Sequence, residues 1–332
     1  MSLRVMQPGM LTAVQDLGRW GHQRFGVPVS GPMDLWALRV ANLLVGNSEG
    51  DAALEITLLG PSVSFDESVL IAFAGADLGA FAGELRLPVW HPVWVPAGST
   101  LTFHGGRHGC RTYLAVAGGI AVPPLLGSRS TYARAGIGGH EGRSLRRGDA
   151  LPVGPPSALA QRVIDTLARA DGGPAVAHWG AGPSLRPPYS EAPMVRLLAG
   201  THTGLLTPIG RERLFGDEFR LSSQSDRMGY RLEGPILELT RPVELLSEGV
   251  SFGTMQLPPG GSPIVLMADR QTTGGYPRVG EVASVDLPLL AQLRPGDRVR
   301  FRRCSLAEAQ TIYLAREQEL ARARGAITLL HA

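Results

Sequence analysis

Apolar residues in this chain come in short runs separated by turn residues, the pattern of many brief strands rather than long helices. Residues 3–6 read as an opening strand stopped by Pro8-Gly9, and runs at 54–59, 69–74, 93–95 and 113–117 continue the series. A second series opens at 194–198 and continues to residue 301, with 264–267 as a buried strand inside it. Helical spacing is confined to three places. Asp34 is a candidate N-cap for a helix whose stripe is Leu35, Leu38, Ala41, Leu44 and Val45, with Gly46 as its stop. Residues 157–170 predict a short amphipathic helix, and 171–193, rich in glycine, proline and alanine, read as a linker. Ser305-Leu306-Ala307-Glu308 has the capping-box spacing of a closing helix, with Leu306, Ile312, Tyr313 and Leu320 on its apolar side and Gly325 as its end.

These elements predict a mainly β protein with a few short helices. The predicted divisions are a first β domain over 1–153, a helix and linker over 154–193, a second β domain over 194–303 and a C-terminal helix over 304–332. A short internal echo suggests that the two β domains are copies. Leu-Arg-Arg-Gly-Asp at 145–149 returns as Leu-Arg-Pro-Gly-Asp at 293–297, and Ser-Gly-Pro-Met at 30–33 is matched loosely by Ser-Asp-Arg-Met at 225–228.

Composition narrows the chemistry. The 332 residues suffice for about two domains with cores of their own. All 32 basic residues are arginine, so this sequence supplies no Walker-A lysine, no Schiff-base lysine and no lysine for biotin attachment. A net charge of +3, with arginines scattered along the sequence, argues against a nucleic-acid groove. Cys110 and Cys304 lack a C-x-x-C partner and read as free thiols in a reducing cytoplasm. The first residues lack the apolar core of a secretory signal, and no apolar window is long enough to span a membrane. A cytoplasmic location is the expectation.

Three polar stretches are candidate sites. The first runs from Met255 to Pro277: proline-glycine turn, buried strand, then Asp269, Arg270, Gln271, Thr272 and Thr273 delivered at the strand's end, with Gly274 and Gly275 permitting close backbone approach and Gln256 and Tyr276 at its flanks. The second gathers Ser225, Asp226, Arg227 and Tyr230. There a guanidinium could grip a carboxylate, and Asp226 or Asp269 could act as a base, or the group could be a salt-bridged turn. In the third, Gln15, Asp16 and Arg19 either meet a ligand or knit their own loop together. A glycine-rich stretch at 129–149 with Arg134 and Arg143 is a weaker candidate for holding an anion. His104 and His108 do not converge with further ligands, so no metal site is expected.

Taken together, several strings resemble one family. They are Q-P-G-x-x-T-x-x-Q-D-x-G-R from Gln7, S-G-P-M-D from Ser30, G-G-H-E-G-R-S-L-R-R-G-D from Gly138, S-D-R-M-G-Y-R-L-E-G from Ser225, E-G-V-S-F-G-T-M-Q-L-P-P-G-G-S-P-I from Glu248 and D-R-Q-T-T-G-G-Y-P from Asp269. The chain is similar to the KipA-like biotin-dependent carboxyltransferases, a family that includes the C component of bacterial 5-oxoprolinase (also labelled allophanate hydrolase subunit 2) and part of the carboxyltransferase domain of urea carboxylase. The resemblance implies two cyclophilin-like β-barrel domains, a KipI-like B subunit and a LamB/YcsF-like A subunit as partners, and a small amide or acid as substrate. The implied reaction is ATP-dependent opening of 5-oxoproline to glutamate, with ATP a requirement of the complex. The alternatives are carboxyl transfer to urea or a similar amide, with biotin carried on another chain, and a non-catalytic regulator that binds a KipI-like inhibitor.

Overall fold

A computed structural model describes residues 1–106, 108–168 and 172–331. It is mostly β with few helices, as the short-run pattern predicts. Two compact units form, each assembled from separate stretches. The first holds Met1–Arg19, Asp34–Pro187 and Gln318–Ala332; the second holds Trp20–Met33 and Pro188–Glu317. The predicted divisions at 153, 193 and 303 are contiguous and could not show this interleaving. Met33 illustrates the cause: its side chain is fully buried in the second unit's core, so its segment follows it there.

In the first unit the strands make two six-stranded sheets. One runs in the order Ala150–Pro152, Ser2–Gln7, Ser62–Phe65, Thr100–Phe103, Ala80–Ala82 and Leu85–Arg86. The other runs Ala175–Val176, Pro92–Val95, Val69–Gly75, Arg111–Val116, Ala53–Thr57 and Leu11–Gln15. Val69–Gly75 and Arg111–Val116 are buried along their whole length, which is why they read as continuous apolar runs. Leu3, Val63, Phe65, Ile71, Phe73, Leu101 and Leu114 fill the core.

The second unit is a closed barrel: Met194–Ala199, Arg278–Val282, Thr254–Gln256, Ile264–Leu266, Gly229–Glu233, Glu218–Leu221 and Arg298–Arg303, the last strand returning parallel to the first. Closure leaves no free sheet edge in the ring. Val195, Phe219, Tyr230, Leu232, Met255, Val265 and Phe301 pack inside it.

Among the described residues the α-helices are α1 (Leu35–Leu44), α2 (Ala158–Leu167), α3 (Pro208–Gly216), α4 (Leu287–Ala291) and α5 (Leu306–Leu330). Asp34 caps α1 as predicted, its Oδ1 accepting from Ala37 N at 2.9 Å. Three expectations change. Residues 11–15 are a strand, not an irregular loop, because Thr12 and Gln15 are themselves buried in the sheet. The stretch beyond residue 171 is not a bare linker, since Ala175–Val176 pairs with Pro92–Val95; positions 169–170 of the predicted second helix and 171 of the linker lie outside the described residues. α5 runs through Gly325 to Leu330, where burial of Leu320 and Ile327 offsets a glycine penalty of about 1 kcal/mol.

The internal echo has a structural counterpart. In each copy the first arginine's N–H donates to the aspartate Oδ2 at 2.7 Å (Arg146 to Asp149, Arg294 to Asp297), and a strand follows. The glycines adopt φ of +92° and +95°, and their N–H groups donate to Val5 O and Leu221 O at 2.8 Å. The same five-residue turn feeds a strand in both units.

Candidate functional site

Of the polar residues singled out in the second unit, the structure pairs Arg227 with Asp269 and places Tyr230 in the barrel core. Arg227 and Asp269 are brought together by the backbone, Asp269 N donating to Arg227 O at 2.8 Å, and their side chains form a two-pronged ion pair. Arg227 Nε reaches Asp269 Oδ2 at 2.8 Å and Nη2 reaches Oδ1 at 3.2 Å; Nη2 also donates to Gly31 O at 2.6 Å. The Arg227 guanidinium is therefore already engaged by a carboxylate of its own chain. Asp226 lies exposed and closes its own turn, accepting from Met228 N and Gly229 N. Ser225 is tied to the backbone of Arg231, and Tyr230 is 2% exposed in the barrel core.

Arg270 is different. It is buried at 7% exposure, and its nearest acceptor is Met267 O at 3.5 Å from Nη1, at the limit of a hydrogen bond. Its Nε has no hydrogen-bond partner among the described residues, and its guanidinium lies 5.8 Å over the Phe252 ring. Burial pushes the Arg270 pKa down to about 10, against the pull of Glu281 and Asp269. Glu281 is a residue that sequence reasoning did not single out. Its carboxylate accepts from Ser251 Oγ and Thr254 Oγ1, each at 3.0 Å, and burial raises its pKa despite those hydroxyls and the nearby Arg278 and Arg270. An acid raised and a base lowered, side by side, mean that desolvation outweighs their mutual attraction. Register explains the grouping: Thr254 pairs with Glu281, and Gln256 with Arg278 across a bulge. The signal was present as Arg-x-x-Glu in strand 278–282, opposite Thr-x-Gln, but only the pairing reveals that the groups meet.

Gln256 is 2% exposed with its amide 3.5 Å from Tyr276 O. Residues Gln271 and Thr272 are half-buried, and Thr273–Gly274 pairs with Glu248–Gly249 in a small two-stranded sheet. A Cβ on Gly274 would stand 2.5 Å from Gln256 Nε2, so this glycine makes room for a side chain of its own chain. Gly275 and the half-exposed Tyr276 complete the stretch.

In the first unit, Gln15, Asp16 and Arg19 knit a loop. The Asp16 carboxylate accepts from Ser128 Oγ and Ser130 Oγ, both at 2.6 Å, and Arg19, fully buried, donates to Leu125 O and Ser130 O at 3.1 and 2.8 Å. Gln15 Nε2 donates to Thr131 O at 3.2 Å, while its Oε1 has no hydrogen-bond partner among the described residues. Arg143 pairs with Asp149 in two-pronged fashion at 2.7 and 3.0 Å and so does not face an open cradle. Among the described residues no group of three or more histidine, cysteine, aspartate or glutamate side chains is placed to hold a metal, and no helix is long and apolar enough to cross a membrane.

Residues 25–303 match the family model for the carboxyltransferase domain, subdomains A and B. The chain belongs to this family. Among carboxyltransferase-domain relatives, the 5-oxoprolinase C component of Escherichia coli is 42% identical over 310 residues, covering 92% of this chain and 93% of that one. The corresponding 5-oxoprolinase C component of Haemophilus influenzae is 38% identical over 296 residues, 89% of each chain. The crystal structure of the Kluyveromyces lactis urea amidolyase contains a region of the same fold, with a TM-score of 0.87 at 32% identity over 97% of this chain. This carboxyltransferase-domain chain spans only 20% of that much longer protein.

Proposed function

We propose that this chain is the C-type component of a hetero-oligomeric, ATP-dependent 5-oxoprolinase that opens 5-oxoproline to L-glutamate. The observation that carries the reading is 42% identity over more than nine-tenths of both chains to a protein named as the C component of a 5-oxoprolinase. It would act with a KipI-like B subunit and a LamB/YcsF-like A subunit, with ATP used by the complex rather than by this chain alone. The chain on its own would be inactive, because no group in the barrel cluster resembles an apparatus for phosphoryl transfer.

Within the complex, 5-oxoproline asks for a cation for its carboxylate and hydrogen-bonding groups for its lactam. Arg270 suits the first role, being a desolvated guanidinium whose Nε is unpartnered among the described residues. Gln256, Gln271, Thr272, Thr273 and the backbone at Gly274 and Gly275 supply donors and acceptors along the same stretch, beside Tyr276. Arg227 positions rather than binds: it holds Asp269, the neighbour of Arg270, in place. Asp269 is the candidate base of the site and Asp226 a remoter one.

A second reading, carboxyl transfer to urea or a similar small amide, is favoured by the full-length match to the urea amidolyase region. Biotin fits that reading only as a group carried on another chain, since this sequence has no lysine to attach it. Co-expression with the B-type and A-type subunits, followed by assay with 5-oxoproline or urea and ATP, separates the two. Glutamate formation from 5-oxoproline supports the first, while urea-dependent turnover that requires a biotin carrier replaces it with the second.

A further inference from the structure

The chain has five tryptophans and nine phenylalanines, and all are buried or half-buried except Trp20 and Phe25. Those two share one turn of the second unit, at 63% and 67% exposure. At that exposure the pair leaves roughly 250 Å² of largely apolar surface in water. Single exposed apolar residues are ordinary; the only two exposed Trp and Phe side chains falling on one turn form a patch. The turn is firmly built. Phe25 N donates to His22 O at 3.0 Å, Gly26 N to Gln23 O at 2.9 Å, and Gly21 N to Gln23 Oε1 at 2.9 Å. Gly21 and Gly26 bracket it at left-handed φ of +89° and +77°. Arg24 lays its guanidinium 4.6 Å over the Phe25 ring. The rings are thus presented in a fixed arrangement, which lowers the ordering cost of burying them.

Charge narrows what the turn meets. No acidic residue stands in the sequence between Asp16 and Asp34, and both of those are buried. Arg24 is exposed and makes no ion pair among the described residues. A surface that fits must therefore offer an apolar socket for two rings and a carboxylate for Arg24. Tryptophan, phenylalanine and arginine are the side chains enriched at the centres of protein interfaces. A single free arginine is a poor match for the phosphates of a nucleic acid or an anionic membrane, which draw clusters of cations. The KipI-like subunit is the one partner that the enzymatic and regulatory readings share. We propose that the Trp20–Phe25 turn is a docking anchor for this B-type subunit, which receives both rings in an apolar socket rimmed by acidic side chains. The inference rests on the reading of this chain as a 5-oxoprolinase component and adds to it the surface of contact and its chemistry.

The test is association, with no turnover in the readout. Isothermal titration of the full chain with the purified B-type subunit gives the Kd of the wild type, Trp20→Ala, Phe25→Ala, Arg24→Glu and Ile209→Ala. Ile209 is a comparably exposed side chain elsewhere on the second unit. Trp20→Ala is expected to weaken binding about 30-fold, the loss typical of a central aromatic anchor. Phe25→Ala and Arg24→Glu should each weaken it about tenfold, the latter most at low salt, and Ile209→Ala should bind as wild type. Thermal unfolding shows which variants are folded, and Phe25→Ala decides the matter should Trp20→Ala fail to fold. No binding by the wild type, or folded Trp20→Ala or Phe25→Ala that binds within about twofold of it, overturns the proposal. So does Trp20-dependent self-association, or sedimentation with phosphatidylglycerol vesicles, in place of subunit binding. Failure of the functional reading is distinguishable. A complex that turns over 5-oxoproline while both aromatic variants bind as wild type removes the anchor and keeps the function. Anchor-dependent binding in a complex that turns over no 5-oxoproline does the reverse.

Discussion

The ion pair between Arg227 and Asp269 offers a sharp test of how this site is held. Their side chains are only 15% and 10% exposed, and the guanidinium makes two contacts to the carboxylate and one to the Gly31 carbonyl. Asp269→Leu leaves a largely desolvated guanidinium without its carboxylate partner. Loss of one partner of a buried pair costs about 3–5 kcal/mol, and the residual exposure here lowers the expectation to about 2–4 kcal/mol. Replacing both, as Arg227→Met with Asp269→Leu, removes the charges together and is expected to cost about 1 kcal/mol or less. With Arg227→Met expected to cost about as much as the loss of Asp269, since each single leaves the other charge unpaired, the double-mutant cycle should show a coupling of at least about 3 kcal/mol. Urea unfolding of the four proteins measures it, with amide exchange in the 264–270 peptide reporting that the loss is local to this strand end. Single variants that each cost under about 1 kcal/mol and add without coupling would refute the view that the pair organises the strand end bearing Arg270.

Other consequences follow from the same geometry. Arg270→Met in the reconstituted complex should raise the KM for 5-oxoproline at least tenfold while assembly with the partners is unchanged by size-exclusion chromatography. Gly138→Ala places a Cβ against Ser130 O and the Arg19 guanidinium at a φ of +68°, and should cost about 1–3 kcal/mol in thermal unfolding of the first unit. The Arg143 guanidinium, ahead of the opposing effect of burial, holds the Asp149 pKa at about 2, below its ordinary 3.8. A depressed carboxylate contributes stability that is complete above its unfolded pKa and lost as pH falls through the folded one. The contribution of Asp149 should thus disappear between about pH 4 and pH 2, and Asp149→Asn should flatten acid unfolding in that window.

The elements that could be read from the sequence are those whose signals are local. Asp34 and Gly46 bracket α1 because a cap and a left-handed stop act within one turn. The strand at 69–75 was visible because burial on both faces gives an unbroken apolar run. α3 was missed although Thr207 caps it and Pro208 opens it, because its apolar and polar residues show no stripe. α5 outran its glycine because packing of Ile327, a tertiary effect, overrode a local propensity. The site divided in the same way. Arg270 and Gln256 stood out as polar residues beside a buried strand, whereas Glu281 acquires its character only through cross-strand pairing with Thr254. For Gln15, Asp16 and Arg19 the structure favours the loop-knitting alternative, with partners more than a hundred positions away at Ser128, Ser130 and Thr131. Such partners carry no local signal.

The most direct measurement is an omission experiment on the purified three-component assembly. ATP-dependent glutamate release from 5-oxoproline is followed with all three proteins, with this chain left out, and with this chain alone. Turnover by the complete set, none in either other case, and recovery when the chain is added back are the predicted results. Undiminished glutamate release without this chain, or release by this chain unaided, would contradict its assignment as a necessary but insufficient component.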